Sequence, residues 1–71
     1  MSQDIEFNLT TDYVELCNLL KLVGIADSGG RGKSMVGKGV VQVDGLIEKR
    51  KRAKIRTGQT VKVTGMSIYI K

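Results

Sequence analysis

This chain must fold without an internal disulfide or an ordinary zinc site, because its 71 residues include one cysteine and no histidine. A lone Cys17 cannot form an internal disulfide, and an ordinary zinc site needs histidine or several cysteines. Hydrophobic residues make up 41% of the chain, which is enough for a packed core. Domains of this size bury only about 60% of the surface that the unfolded chain exposes. We expect one domain over residues 1–71, with Cys17 as a small core residue.

The apolar segments are too short to cross a membrane. A membrane-spanning helix needs about 20 consecutive apolar residues, and the apolar runs end well before that length. No signal-peptide pattern is present. We therefore expect a soluble cytoplasmic protein with no membrane partner.

The first part of the chain predicts a strand followed by a helix. Ile5, Phe7 and Leu9 alternate with polar residues, as in a strand with one buried face. Asp12, followed three positions later by Glu15, is close to a capping box, so a helix is predicted from there to about Leu22. Gly24 is well placed to end it. This helix is apolar over most of its circumference, so we expect it to be central, with Tyr13 on its apolar face.

Ser28 is suited to cap a second helix, beginning at Gly29 or Gly30 and ending near Gly37 or Gly39. Each glycine inside a helix costs about 1 kcal/mol relative to alanine, so local preference alone would not hold this helix. Either packing against the rest of the fold stabilises it, or the glycines admit something close to its backbone.

The second half of the chain predicts short strands joined by turns. Asp44-Gly45 fits a two-residue hairpin turn with positive φ, which would join a strand containing Val41 and Val43 to a return strand beginning at Ile47. Residues 57–59 indicate another turn. The last two strands are predicted around Gly65, with apolar positions at Val61, Val63, Ile68 and Ile70.

Residues 49–56, here called the basic segment, contain six cations: Lys49, Arg50, Lys51, Arg52, Lys54 and Arg56. Residues 1–30 carry five acidic side chains and one basic, whereas residues 31–56 carry nine basic and two acidic. This asymmetry predicts one basic face, which is typical of a polyanion site. If the segment is extended, arginines project outward while Ile55 faces the core. An exposed loop kept soluble by its charge is the alternative.

The start of the second helix is another candidate anion site. Free N–H groups and partial positive charge at a helix N-terminus bind phosphate oxygens. Gly29 and Gly30 leave those groups open, and Arg31 and Lys33 add charge beside them. The alternative is a flexible helix start without a ligand. The phosphate-loop pattern G-x-x-x-x-G-K-[ST] lacks its first glycine, where Asp27 would repel a triphosphate, so nucleotide hydrolysis is not expected.

Catalysis is not expected either. The chain has no histidine to act as a base and no paired carboxylates beside a nucleophile, and Ser28 and Ser34 have no evident activating partner. We expect a protein that is not an enzyme and that uses no cofactor and no metal.

The order of these residues resembles the S-four, or alpha-L, RNA-binding motif, and in particular small free-standing bacterial proteins of the YbcJ/YaaA type. Their S-G-G-x-A-K signature matches Ser28, Gly29, Gly30 and Lys33, and their E-x-R-x-R-x-K-[IL] signature matches Glu48, Arg50, Arg52, Lys54 and Ile55. The resemblance extends from about residue 12 to residue 63. The larger family usually has arginine at position 29, a contact that Arg31 could replace. It usually has alanine at position 32, so Gly32 is expected to loosen the second helix.

The resemblance implies an α+β fold, with two helices packed on a small, mostly antiparallel sheet. It also implies that the second helix and the following hairpin form the RNA surface, where both signatures would converge. The expected function is non-catalytic binding of structured RNA, ribosomal RNA and the ribosome included, through backbone phosphates. The expected contacts are Ser28, Gly29, Gly30, Arg31, Lys33, Lys38, Lys49, Arg50, Lys51, Arg52, Lys54 and Arg56.

Few aromatic side chains are available for stacking, which favours folded RNA over single strands. Phe7 and Tyr13 are expected in the core, leaving Tyr69 alone on the surface. Duplex DNA and an acidic protein partner remain alternatives for the same basic face. We expect a monomer.

Overall fold

The computed structural model describes residues 3–71, and it has the predicted order of a strand, two helices and a β-rich second half, with an additional short strand before the first helix. The elements are β1 (Gln3–Phe7), β2 (Val14–Glu15), α1 (Leu16–Leu22), α2 (Gly29–Gly37), β3 (Val41–Val43), β4 (Leu46–Ile47), β5 (Lys54–Ile55), β6 (Thr60–Val63) and β7 (Met66–Ile70). Five strands form a sheet in the order β1-β7-β6-β3-β4, while β2 and β5 form a separate pair. Among the strands of residues 3–71 only β1 and β7 pair in parallel, so the expected α+β class with a mostly antiparallel sheet is confirmed.

The core lies between one face of the five-stranded sheet and the helices. Cross-strand pairing aligns Val43, Val61, Ile68 and Ile5 in one row across the sheet. Helix α1 is apolar on most sides, and its Leu16, Leu19 and Leu20 are fully buried in the same cluster. The opposite face of the sheet carries polar residues, including Gln42 and Lys62. The alternation of side chains along each strand therefore puts apolar residues on the core face and polar residues on the solvent face. In α1, Cys17 is buried as predicted.

Helix α1 begins at Leu16, so the predicted start at Asp12 is wrong. Val14 and Glu15 are extended instead and pair antiparallel with Ile55 and Lys54. Glu15 is the N-cap residue but makes no side-chain capping hydrogen bond. The backbone hydrogen bonds of this region are made with another strand and not with a capping box. The spacing of Asp12 and Glu15 alone could not indicate this pairing.

Helix α2 follows the prediction, with Ser28 as its N-cap. The Ser28 Oγ accepts a hydrogen bond from the backbone N–H of Arg31 at 3.1 Å. The helix is held by close packing on α1, because a Cβ built at Gly32 would lie 2.5 Å from the carbonyl oxygen of Cys17. The expectation that Gly32 loosens the helix is therefore wrong: the missing side chain lets two backbones meet.

The Asp44-Gly45 hairpin is confirmed. Both residues have positive φ, 52° for Asp44 and 86° for Gly45, and Val43 pairs directly with Leu46. The Asp44 side chain also accepts a hydrogen bond from the backbone N–H of Thr60 at 3.0 Å, which links the turn to β6. The turn at Thr64-Gly65 likewise joins β6 to β7.

The first strand lies slightly earlier than the alternation predicted. Leu9 falls outside β1, and its backbone N–H donates to the carbonyl oxygen of Lys71 at 2.8 Å. Within residues 3–71, neither helix has the length and apolar character required to cross a bilayer.

Candidate nucleic-acid interface

The basic segment is a folded surface and not a free loop. All six of its cationic side chains are exposed, while Ile55 is 1% exposed and anchors the segment in the core. A turn at Lys51 and Arg52 interrupts the extended backbone, and only Lys54 and Ile55 are in a strand. The strict alternation expected of one extended run is therefore absent, although the inward Ile55 is confirmed.

The start of α1 holds the backbone of the basic segment. The N–H of Leu16 donates to the carbonyl oxygen of Ala53 at 2.9 Å, and the N–H of Cys17 donates to that of Lys51 at 3.1 Å. The first N–H groups of a helix lack partners within the helix. The basic segment supplies acceptors for two such groups of α1, and these hydrogen bonds hold the backbone of the segment in place. The cations consequently project from a backbone that is already ordered.

The C-terminal end of α2 packs against two lysine stems of the basic segment. A Cβ built at Gly37 would lie 3.6 Å from Cε of Lys51, and one built at Gly39 would lie 3.2 Å from Cε of Lys49. The apolar stems therefore cover the glycines while the charged ends stay in solvent. The partial negative charge at a helix C-terminus favours lysines at this position.

Helix geometry places Lys33 on the side of α2 that faces the basic segment. Lys33 and Gly37 are four residues apart, so they share one face of the helix. Arg31 lies about 160° around the axis from Lys33, at about 100° per residue. Lys38 is exposed at the C-cap, next to Gly39. Helix geometry thus puts Lys33, and not Arg31, on the face of α2 that carries Gly37.

The N-terminus of α2 is open but lies apart from the lysine contacts. A Cβ built at Gly29 would meet no atom within 4 Å, and one at Gly30 would meet only Ser28 Oγ at 3.9 Å. Gly29 and Gly37 are the first and last of the nine residues of this helix, so they lie about 12 Å apart along the axis. The basic segment therefore contacts the C-terminal end of α2, whereas Ser28, Gly29 and Gly30 of the first signature lie at the opposite end, so the expected convergence is not seen at these residues.

Arg50 differs from its neighbours because Glu48 holds its guanidinium. Nε and Nη2 of Arg50 donate to the two carboxylate oxygens of Glu48 at 3.0 and 3.1 Å, and the backbone N–H of Arg50 donates to Oε1 at 2.9 Å. The side-chain and backbone hydrogen bonds from Arg50 lower the pKa of Glu48 below its ordinary 4.5, and the pKa of Arg50 is raised by the same partner. Glu48 therefore neutralises part of the positive charge of Arg50.

Tyr13 lies on the surface beside the basic segment, so the prediction that it belongs to the core is wrong. It is 40% exposed, and its ring centroid lies 5.0 Å from Nζ of Lys54 and 5.9 Å from Cζ of Arg56. The shift follows from the corrected start of α1: Tyr13 precedes strand β2, where Val14 turns inward. Phe7 packs against the core as expected, and Tyr69 is 38% exposed.

The part of the chain that the structure describes brings together no three histidine, cysteine, aspartate or glutamate side chains able to hold a metal ion. The geometry offers fixed cations, open amides and one aromatic ring. These groups bind anions and planar rings.

The comparisons with known proteins agree with this fold. The family model for the S4 domain matches residues 7–71. A protein of Escherichia coli strain K12 called "Putative RNA-binding protein YbcJ" is 50% identical over 58 residues, which cover 82% of this chain and 83% of that protein. "Uncharacterized protein YbcJ" of Shigella flexneri matches with the same identity and coverage.

A solved structure matches almost the whole chain. The solution structure of YbcJ from E. coli, described as revealing an alpha-L motif involved in RNA binding, superposes with a TM-score of 0.73 and 46% identity. The match covers 99% of this chain and 90% of that one. This chain therefore belongs to the S4 domain family and has the alpha-L fold.

Proposed function

We propose that this chain is a non-catalytic RNA-binding protein that holds structured RNA through its backbone phosphates. The observation that carries the proposal is the basic segment itself: six exposed cations on a backbone fixed by α1 and packed against α2. Membership of the S4 domain family and the similarity to an E. coli protein named for RNA binding favour RNA over other polyanions. Ribosomal RNA is included among the structured targets.

The mechanism is electrostatic and depends on order that exists before binding. Phosphates that pair with lysine or arginine release condensed counterions, which drives association. Because the hydrogen bonds to Leu16 and Cys17 already fix the segment, binding requires little backbone ordering. Cations at fixed positions favour a backbone of fixed shape, which folded RNA provides.

The second helix extends the surface. Lys33 and Lys38 continue the charge along α2 beside the basic segment. In this proposal a second phosphate lies at the α2 N-terminus, where the amides near Gly29 and Gly30 are sterically open and Arg31 is exposed. Two phosphate sites about one helix length apart would require the RNA backbone to follow α2.

The test is fluorescence anisotropy with a labelled RNA hairpin, in which log affinity is followed against log salt concentration. The double variant Lys51→Gln/Arg52→Gln removes two charges from the basic segment and keeps polar side chains, with the first part of the Lys51 stem retained near Gly37. The control, Lys21→Gln/Lys62→Gln, removes two charges from α1 and from the outer face of the sheet. Each phosphate contact contributes about 0.7 to 0.9 to the slope.

We expect the double variant to bind more weakly and to lose between about 1.4 and 1.8 from the salt slope, since two contacts are removed. The control should keep the wild-type slope. Equal losses in both variants would show general charge attraction and contradict a defined site. A matched DNA hairpin that competes as well as RNA would redirect the proposal to nucleic acid in general, and crosslinking in cells followed by sequencing would name the target.

A further inference from the structure

Tyr13 provides an exposed aromatic ring at the edge of the basic segment. Its ring is within cation–π range of Lys54 and Arg56, so two phosphate-binding side chains are held next to a planar surface. The side chain is 40% exposed although it is large and hydrophobic. An aromatic ring flanked by cations is the arrangement that stacks nucleobases while phosphates are held beside them.

The ring also borders a groove of different chemistry. Thr11, Asp12, Glu15 and Asn18 line this groove together with Tyr13 and Val14. The two carboxylates would repel a phosphate, but they accept hydrogen bonds from N–H groups on the edge of a base, and the Asn18 amide can both donate and accept. The groove therefore suits a base and excludes the backbone, whereas the basic segment suits the backbone.

We propose that Tyr13 stacks an unpaired nucleobase of the bound RNA, with the edge of that base in the groove beside Asn18 and the adjacent phosphates on Lys54 and Arg56. This rests on the proposed RNA-binding function and deepens it, because it adds recognition of an unpaired base to capture of the backbone. The protein would then prefer a folded RNA that presents a loop or bulge over an uninterrupted duplex. Unpaired bases are the parts of folded RNA that stack on aromatic side chains.

The chain permits a direct optical test because it has no tryptophan and two tyrosines. In a Tyr69→Phe background Tyr13 is the sole tyrosine, and its fluorescence can be excited at wavelengths where phenylalanine does not absorb. The probes are an RNA hairpin with an unpaired loop and a blunt RNA duplex with the sequence of its stem. We expect the hairpin to quench Tyr13 fluorescence through stacking, and the duplex to bind with little quenching.

Affinity measurements separate stacking from packing. Tyr13→Leu should weaken binding of the hairpin by roughly 5- to 150-fold, the range for loss of one stacked base, and should leave duplex binding within about 2-fold. Tyr13→Phe keeps the ring and should retain most of the preference for the hairpin. Thermal unfolding of both variants should match the wild type, because the side chain lies outside the core.

The outcomes separate this inference from the function on which it rests. If the Tyr69→Phe protein binds neither RNA, the proposed function fails. If it binds both RNAs equally well without quenching, or if Tyr13→Leu weakens both equally, RNA binding stands and base stacking by Tyr13 is overturned. Should Tyr13→Leu unfold, the quenching measurement on the folded Tyr69→Phe protein decides alone.

Discussion

Gly32 in α2 lies directly against the backbone of Cys17 in α1, and no side chain fits between them. A Cβ at Gly32 would fall 2.5 Å from the Cys17 carbonyl oxygen and 3.3 Å from its carbonyl carbon. The obstacle is backbone, which cannot move aside as a flexible side chain can. Because the N–H of Cys17 also holds the basic segment through Lys51, this contact connects helix packing to the candidate interface.

We expect Gly32→Ala to destabilise the protein by up to about 2 kcal/mol. Overpacking costs about 1 to 3 kcal/mol, and the better helix propensity of alanine offsets up to about 1 kcal/mol of that. Gly30→Ala is the matched control, since its Cβ would meet only Ser28 Oγ at 3.9 Å, and it should stabilise by about 0.4 to 1 kcal/mol. Urea unfolding of both variants shows whether each substitution raises or lowers the free energy of unfolding. Equal stabilisation by both would disprove the close approach of the helices.

Arg52 should contribute more to RNA binding than Arg50. Glu48 accepts two hydrogen bonds from the Arg50 guanidinium and cancels part of its charge, whereas Arg52 is exposed and makes no ion pair within residues 3–71. We expect Arg52→Ala to reduce both affinity and salt slope more than Arg50→Ala does, as measured by anisotropy. A larger loss with Arg50→Ala would mean that Glu48 orients Arg50 toward phosphate and does not neutralise it.

The Glu48–Arg50 pair should give the stability a small pH dependence. The pKa of Glu48 is lowered from 4.5 in the folded state, chiefly by the side-chain hydrogen bond from Arg50. A lowered pKa stabilises the fold at pH values above 4.5, and this contribution is lost as pH falls through the lowered value. Arg50 is exposed and Glu48 is only partly covered, so the effect is small and is screened by salt.

The measurement is urea unfolding of wild type and Glu48→Gln over a series of pH values. We expect the wild type to be the more stable near neutrality and the difference to shrink below pH 4.5. A difference that stays constant into the acid range would show that the hydrogen bonds do not depend on the charge of Glu48.

Substitutions at Ser28 can distinguish its role as the helix cap from the proposed phosphate contact at the same helix end. Ser28→Ala removes the acceptor for the Arg31 N–H and should cost about 1 kcal/mol. Ser28→Asp restores a capping oxygen and should recover the stability, but its negative charge would repel a phosphate at this helix end. Weaker RNA binding by a stable Ser28→Asp protein is expected, and unchanged affinity would remove the α2 N-terminus from the interface.

Local chemistry made much of the fold predictable. The Asp44-Gly45 turn requires positive φ at both positions, and the sequence offers residues that tolerate it. Ser28 likewise indicated where α2 begins. These features depend on neighbours in the chain, so periodicity and turn residues were sufficient to place them.

The errors arose where distant segments meet. The Asp12–Glu15 spacing suggested a capping box, but Glu15 pairs with Lys54 in a strand. That pairing also exposes Tyr13, which a helix from Asp12 would have buried. Helix propensity alone made Gly32 look unfavourable. The position requires glycine because the backbone of the other helix lies against it, and helix propensity does not include that contact. Sequence patterns identified the cations of the candidate interface but missed the exposed ring of Tyr13 beside them.

The hydrogen bonds from Leu16 and Cys17 to the basic segment have a kinetic consequence. An opening that displaces Lys51 and Ala53 must also expose two amides at the start of a helix whose neighbouring side chains are fully buried. The exchange rates of those two amide protons therefore report how often the charged surface comes apart, without any ligand present. Slow exchange there would mean that RNA meets one arrangement of cations at nearly every encounter, so that the approach of the two molecules limits the rate of association.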